Sequence, residues 1–231
     1  MRIIPVLDVM NGVVVRAVGG KRENYRPIVS KLTKSTDPVD VLKALIDVTG
    51  SDVAYVADLD AIVNGKGPSP AVLRLLDESP VGVWVDFGIR TNADLVRLPA
   101  HPRLSPALGT ETLADFDVVS RATERFPHVV GSIDLHDGTP LGLGRGKQFF
   151  DLSIDFETRG VTDLIVLDLA SVGNRGGSAL EWCTNLTLFF DGQIRVYPGG
   201  GIKNRDDVEQ FQNAGAAGVL VASALHDGTL P

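Results

Sequence analysis

Cysteine is nearly missing from this sequence: Cys183 is the one thiol in 231 residues. A lone cysteine excludes an intrachain disulfide and leaves no thiol cluster to hold zinc or an iron–sulfur centre, so its expected state is that of a small buried hydrophobe. The four histidines, His101, His128, His136 and His226, show none of the spacings of an imidazole metal site. No metal and no other cofactor is therefore expected. Lys/Arg-rich runs are absent as well. The net charge of -7 argues against duplex nucleic acid and anionic membrane, both of which require a dense positive footprint. No apolar run approaches the roughly 18 residues of a membrane span, and the opening "MRIIPVLDVMNG" is too short in apolar residues for a signal peptide. The cytoplasm is the expected address, and a small molecule is the expected partner.

What is present is a rhythm. Short β-branched runs recur, each followed by a turn and a longer stretch of helical periodicity. They read "RIIPVLD", "DVAYVADLD", "VGVWVD", "RLSPALG", "HVVGSID", "DLIVLDL", "IRVYPG" and "GVLVAS". Between them lie helix candidates such as "DPVDVLKALIDVTG", "SPAVLRLLDES", "TNADLVRL", "TLADFDVVSRATERF", "SALEWCTNLTLFF" and "NRDDVEQFQNAG", several opening on an N-capping residue. Alternating strands and helices predict a parallel sheet. Eight such strands in a chain near barrel length predict an α/β protein of the closed (β/α)8 kind, one domain over residues 1–231.

The two halves of the chain repeat each other. "VDFGIRTNADLV" aligns with "PGGGIKNRDDVE" at an offset of 113 residues, pairing Gly88 with Gly201, Ile89 with Ile202 and Asp94 with Asp207. "VADLDA" mirrors "VLDLAS", and "VLDVMNG" mirrors "SIDLHDG". Two half-barrels of four strands each would set Asp8, at the end of strand 1, across the ring from Asp134, at the end of strand 5. Strand C-termini form the catalytic face of such a barrel. Two facing carboxyl groups can divide acid and base work, provided unequal environments keep one protonated while the other ionises. Either aspartate alone is also what a turn or a helix cap requires; their matched placement favours the pair as a site.

A second feature is "YPGGGIKNRDDV". Gly199, Gly200 and Gly201, with Ala222 and Ser223 after strand 8, would bring backbone N–H groups to the usual phosphate corner of a barrel, although a plain strand-to-helix turn has the same composition. The repeat predicts another corner after strands 3 and 4, from Gly88, Arg90, Gly109 and Thr110. There Asp86 and Phe87 stand where the first corner has glycines, and a carboxylate repels a phosphate unless a cation such as Arg90 offsets it.

Together these stretches resemble the HisA/HisF group of histidine biosynthesis, duplicated half-barrels that bind sugar phosphates at both ends of an elongated substrate, and the likeness covers nearly the whole chain. "IIPVLDVMNGVVVRAVGG" is similar to the family's opening strand and loop, "GSIDLHDG" to its fifth strand, and "GGGIKNRDDV" with "VASAL" to its phosphate site. The resemblance implies an aldose–ketose isomerisation of the Amadori type, without cofactor, in which Asp8 acts as base between two sugar carbons and Asp134 protonates the ring oxygen. The departures fall on substrate contacts. Asp86-Phe87-Gly88 replaces a triple-glycine loop, Leu167 replaces a threonine, "SVGN" at 171–174 lacks an aspartate, and "GLGRGK" at 142–147 holds no aromatic residue to stack on an imidazole. Three functions stay open: the histidine-pathway isomerase; a divergent paralogue with a different, singly phosphorylated substrate, like those found with tetrahydromethanopterin-linked one-carbon genes; and a barrel that binds a phosphorylated metabolite without catalysis.

Overall fold

Along each strand, residues of one parity meet the helices and residues of the other meet one another at the centre, as the two-residue period of a strand requires. A computed structural model describes residues 1–17, 22–169 and 179–230. Eight parallel strands carry the pattern: β1 (Arg2–Met10), β2 (Val53–Asp58), β3 (Gly82–Asp86), β4 (Leu104–Gly109), β5 (Val130–His136), β6 (Asp163–Asp168), β7 (Arg195–Gly199) and β8 (Gly218–Val221). Each pairs with the next in parallel register, and β8 returns to β1 through Arg2 opposite Gly218 and Pro5 opposite Val221, which closes the ring. The architecture is a (β/α)8 barrel.

Helices α1 (Pro38–Thr49), α2 (Pro70–Glu78), α3 (Asn92–Val96), α4 (Asp117–Arg125), α5 (Phe149–Glu157), α6 (Ala179–Phe190), α7 (Arg205–Asn213) and α8 (Ser223–His226) follow the strands in turn. Their starts are set chemically. Asp37 accepts hydrogen bonds from the amides of Val39 and Asp40 ahead of Pro38, Ser69 accepts from Val72, and Asn204 from Asp207. Helix α4 begins later than its periodicity suggests, because Thr112 and Leu113 donate back to the Gly109 carbonyl and hold that segment as a turn. None of the described helices is long and apolar enough to cross a membrane.

Two apolar layers result. Leu7, Val9, Val56, Val85, Leu108, Ile133 and Val166 pack outward against the helices, while Ile4, Tyr55, Trp84, Ala107, Ile165, Tyr197 and Leu220 fill the ring. Cys183 is buried in the outer layer. At the N-terminal end of the strands, Asp163 is sealed in, with His128 Nε2 at 2.7 Å and Arg195 Nε donating at 2.7 Å. Burial opposes its charge, but these bonds prevail and hold its carboxyl well below the usual range. That end is stitched together by an ion pair.

Candidate active site

The same parity that sends Ile4 and Tyr55 inward sends Asp8, Asp86 and Asp134 inward at the C-terminal end of the ring. Strand β1 runs past Asp8 into an Asn11-Gly12 turn with φ of 53° and 79°, and β5 runs past Asp134 into an Asp137-Gly138 turn with φ of 49° and 75°. Left-handed pairs of this kind are what tight hairpins need. The first hairpin returns as Val13–Arg16 and folds the chain back over the mouth, with Asp8 opposite Val15. The second returns as Thr139–Pro140. Both aspartates thus sit at the root of a hairpin, one in each half.

Both line a cavity of about 240 Å3 at this mouth, together with Asp86, Glu111, Tyr55, Arg16, Ala222, Ser223 and His226. Their surroundings differ. Asp134 is buried, its Oδ1 accepts from Ser132 Oγ at 2.9 Å, and its Oδ2 accepts from the Glu111 amide at 3.0 Å. Burial raises its pKa to about 7; the Glu111 amide and Ser132 pull the other way, while the charges of Asp86 and Glu111 push it further up. Asp8 is raised to about 6 by burial alone. Both carboxyls are shifted toward the protonated form, Asp134 further than Asp8 because the charges of Asp86 and Glu111 add to its burial. Tyr55 is kept protonated first by burial and then by the charges of Asp86, Asp134 and Asp8.

The phosphate-corner residues divide into groups. Ala222 and Ser223 lie on the cavity wall, and Gly199, Gly200 and Gly201 do not. Gly199 closes β7, where a Cβ would come within 3.1 Å of Leu167 and 3.2 Å of Leu220. Gly200 and Gly201 take φ of 93° and 76°, which favour glycine. The following helix is fixed by Asp207, whose Oδ2 accepts from the amides of Lys203 and Asn204.

At the other corner, Gly88, Arg90, Gly109 and Thr110 are absent from the cavity wall. The Gly88 amide donates to Asp86 Oδ1 at 2.7 Å. Arg90 gives its guanidinium to the carbonyls of Gly88 at 2.9 Å and Ile62 at 2.8 Å. Gly109 makes room for an acid: a Cβ there would lie 2.6 Å from Asp134 Oδ2. Thr110 Oγ1 accepts from the Asp134 amide at 3.0 Å, so the threonine helps set the aspartate in place.

Arg16, Glu111, Tyr55 and His226 were not singled out in the sequence. Arg16 could have been found from the Asn-Gly turn, which predicts a hairpin returning over the mouth. Glu111 follows the end of β4, where barrels place their loops of function. His226 is buried, bonds Ser30 Oγ through Nδ1, and is pushed down to about 4 by burial and by Arg16, so it is neutral. Leu167 lines the cavity where the resemblance implies a threonine. Residues 171–174 lie outside the described residues.

A closed barrel with paired aspartates at the C-terminal mouth defines a class of duplicated half-barrel proteins. Residues 2–231 match the family model described as histidine biosynthesis protein, and the chain belongs to that family. It is 31% identical over 232 residues to an uncharacterised protein of Methanocaldococcus jannaschii, covering 100% of this chain and 95% of that one. It is 30% identical to the 1-(5-phosphoribosyl)-5-((5-phosphoribosylamino)methylideneamino) imidazole-4-carboxamide isomerase of Syntrophus aciditrophicus, covering 100% and 95%. With the isomerase of the same name from Natronomonas pharaonis it shares 28% identity, covering 98% and 93%. The chain is therefore HisA-like, and its isomerase relatives are distant.

Proposed function

We propose that the protein is an aldose–ketose isomerase acting on an aminoaldose that carries one phosphate. The observation behind this reading is the pair Asp8 and Asp134, facing one cavity with pKa values raised to about 6 and about 7. Asp134, protonated, donates to the ring oxygen as the bond from that oxygen to C1 breaks, leaving a C1–N iminium. Asp8 then takes the proton from C2, whose acidity the iminium raises, and returns it to C1 of the resulting enaminol as the C2 hydroxyl gives its proton to Asp134, which yields the aminoketose and restores both carboxyl groups. No group is consumed and no redox partner is needed, and two positioned carboxyl groups supply every proton movement. The phosphate would rest beside Ala222 and Ser223, where the Gly199, Gly200 and Gly201 turn adjoins the cavity that Arg16 also lines. The relatives' names describe a substrate with two phosphoribosyl groups. The state of the Gly88 amide and of Arg90 favours a substrate with only one phosphate.

The test is turnover of a panel of N-substituted 5-phosphoribosylamines in D2O, including the doubly phosphorylated one, followed by proton NMR. An aminoketose formed from a singly phosphorylated member, and not with Asp8→Asn, is the expected result. Failure to convert any member would leave the non-catalytic binding barrel as the better reading.

A further inference from the structure

We infer that Tyr55 is a further catalytic residue: its phenol, at the floor of the mouth cavity, donates a hydrogen bond to the C2 oxygen of the aminoaldose while that oxygen passes its proton to Asp134 and becomes the ketone. The inference rests on the isomerase reading for the identity of that oxygen. Tyr55 lies in the middle of β2, is only 5% exposed, and lines the cavity. The charges that act on its hydroxyl, those of Asp86, Asp134, Asp8 and Glu111, all stand at the mouth, so the hydroxyl points that way. Every fully enclosed side-chain nitrogen or oxygen among the described residues has a hydrogen-bond partner. The Tyr55 hydroxyl bonds to none of the described residues, and it is therefore open to the cavity.

Two comparisons within the ring show that packing does not ask for this hydroxyl. The other tyrosine of the inward layer, Tyr197, turns to the N-terminal end, where it hydrogen-bonds Asp163 and meets Trp84 edge-on with 4.9 Å between ring centroids. That is the usual condition of a buried phenol. In the second half, the residue that precedes "VLDLAS" as Tyr55 precedes "VADLDA" is Ile165, which fills the ring without a polar atom. Burial first, and then the four mouth charges, hold the Tyr55 proton in place, so the group is a donor and not a base. Its ligand must accept. A hydroxyl oxygen can accept from the phenol and donate to a carboxylate at once, whereas an ammonium has no lone pair to offer. Asp8 stands opposite Ala57, two residues beyond Tyr55 along β2, so a sugar carbon held between Asp8 and Asp134 lies above the phenol. Donation to its oxygen stabilises the carbonyl that forms there.

Tyr55→Phe keeps the ring and deletes only the hydroxyl. On the phosphoribosylamine that the native chain isomerises, it should lower kcat by about 10²-fold with KM changed little. Its urea midpoint should equal the native one, because no contact within the protein is lost. Titration calorimetry on both full chains with ribose 5-phosphate and 2-deoxyribose 5-phosphate adds a readout that needs no turnover. The native chain should bind the ribose phosphate about tenfold more tightly than the deoxy compound, and Tyr55→Phe should bind the two alike. Unchanged kcat in Tyr55→Phe, with the native chain active, would overturn the role of Tyr55 and leave the isomerase reading standing. So would equal affinity of the native chain for the two sugar phosphates, or a lowered urea midpoint, which would mean that the hydroxyl has a partner inside the fold. An inactive native chain would remove the isomerase reading, and the catalytic role of Tyr55 with it.

Discussion

The two halves of the barrel share a plan and differ in charge. Asp94 in the first half and Asp207 in the second do the same task, each accepting the amides at the start of its helix. Eight residues after the end of the strand, the repeat is intact. Closer to the mouth it is not: Asp86 and Phe87 stand where Gly199 and Gly200 do. Phe87 is in the core and Asp86 holds the Gly88 amide. Scaffolding survives duplication because each half needs it, whereas no such need fixes the residues at the mouth.

The largest effect should come from the aspartates. Removing either ionisable group leaves proton transfer without its donor or acceptor, so Asp8→Asn and Asp134→Asn should each lower turnover by roughly 10²- to 10⁴-fold on whichever substrate the panel identifies. The native pH profile sharpens the contrast between halves. Activity should rise as Asp8 loses its proton near pH 6 and fall as Asp134 loses its own near pH 7, giving a narrow optimum between them. A profile flat from pH 5 to 8 would show that these carboxyl groups do not limit the reaction.

Next is the glycine that the halves share. A Cβ on Gly88 would come within 2.7 Å of Ile62 Cα, backbone that cannot swing aside, and φ is 64°. Gly88→Ala should therefore cost about 2 to 4 kcal/mol of folding stability, read by urea denaturation. Its role in this half is packing.

How much of this could be read from the chain follows from range of interaction. All eight barrel strands, the N-caps Asp37, Ser69 and Asn204, and the half-length repeat depend on local period and capping chemistry, and they are visible in the sequence. Asp8 and Asp134 could be placed at one mouth because strand parity and barrel closure fix where they point. Their raised pKa values could not be read, since they arise from burial and, at Asp134, from the charges of Asp86 and Glu111 brought near by closure. Nor could the fate of Arg90, whose partner Ile62 lies 28 residues away. The return of Arg16 over the mouth was legible in principle from Asn11-Gly12, and Gly109 looks like a phosphate-loop glycine until Asp134 is seen to fill the space beside it.

A smaller effect should come from restoring the glycine at the odd corner. Asp86→Gly frees the Gly88 amide and removes one carboxylate, so it should raise affinity for hexanediol bisphosphate by about tenfold while leaving inorganic phosphate nearly unchanged. Unaltered bisphosphate affinity would mean that the halves differ by more than this side chain.

The smallest expected effect concerns the cost of keeping Asp134 ready. Its pKa lies at about 7 in the fold, above the 3.8 of an ordinary aspartate, so the folded state binds a proton that the unfolded chain has already released. The associated stability is complete below about pH 4 and is lost as pH rises through 7. Asparagine carries no such charge. It can keep the Glu111 amide on its oxygen while its own N–H2 donates to Ser132 Oγ, reversing the bond that Ser132 now donates. Asp134→Asn should accordingly be more stable than the native chain by about 1 to 3 kcal/mol at pH 8 and no more stable at pH 4, measured by urea denaturation at both. Asp8→Asn should show the same trend with a smaller gain, because its pKa is raised only to about 6. Equal stability of variant and native chain at pH 8 would mean that the folded state does not strain the Asp134 carboxylate, and the difference between the two halves in proton affinity would have to come from elsewhere.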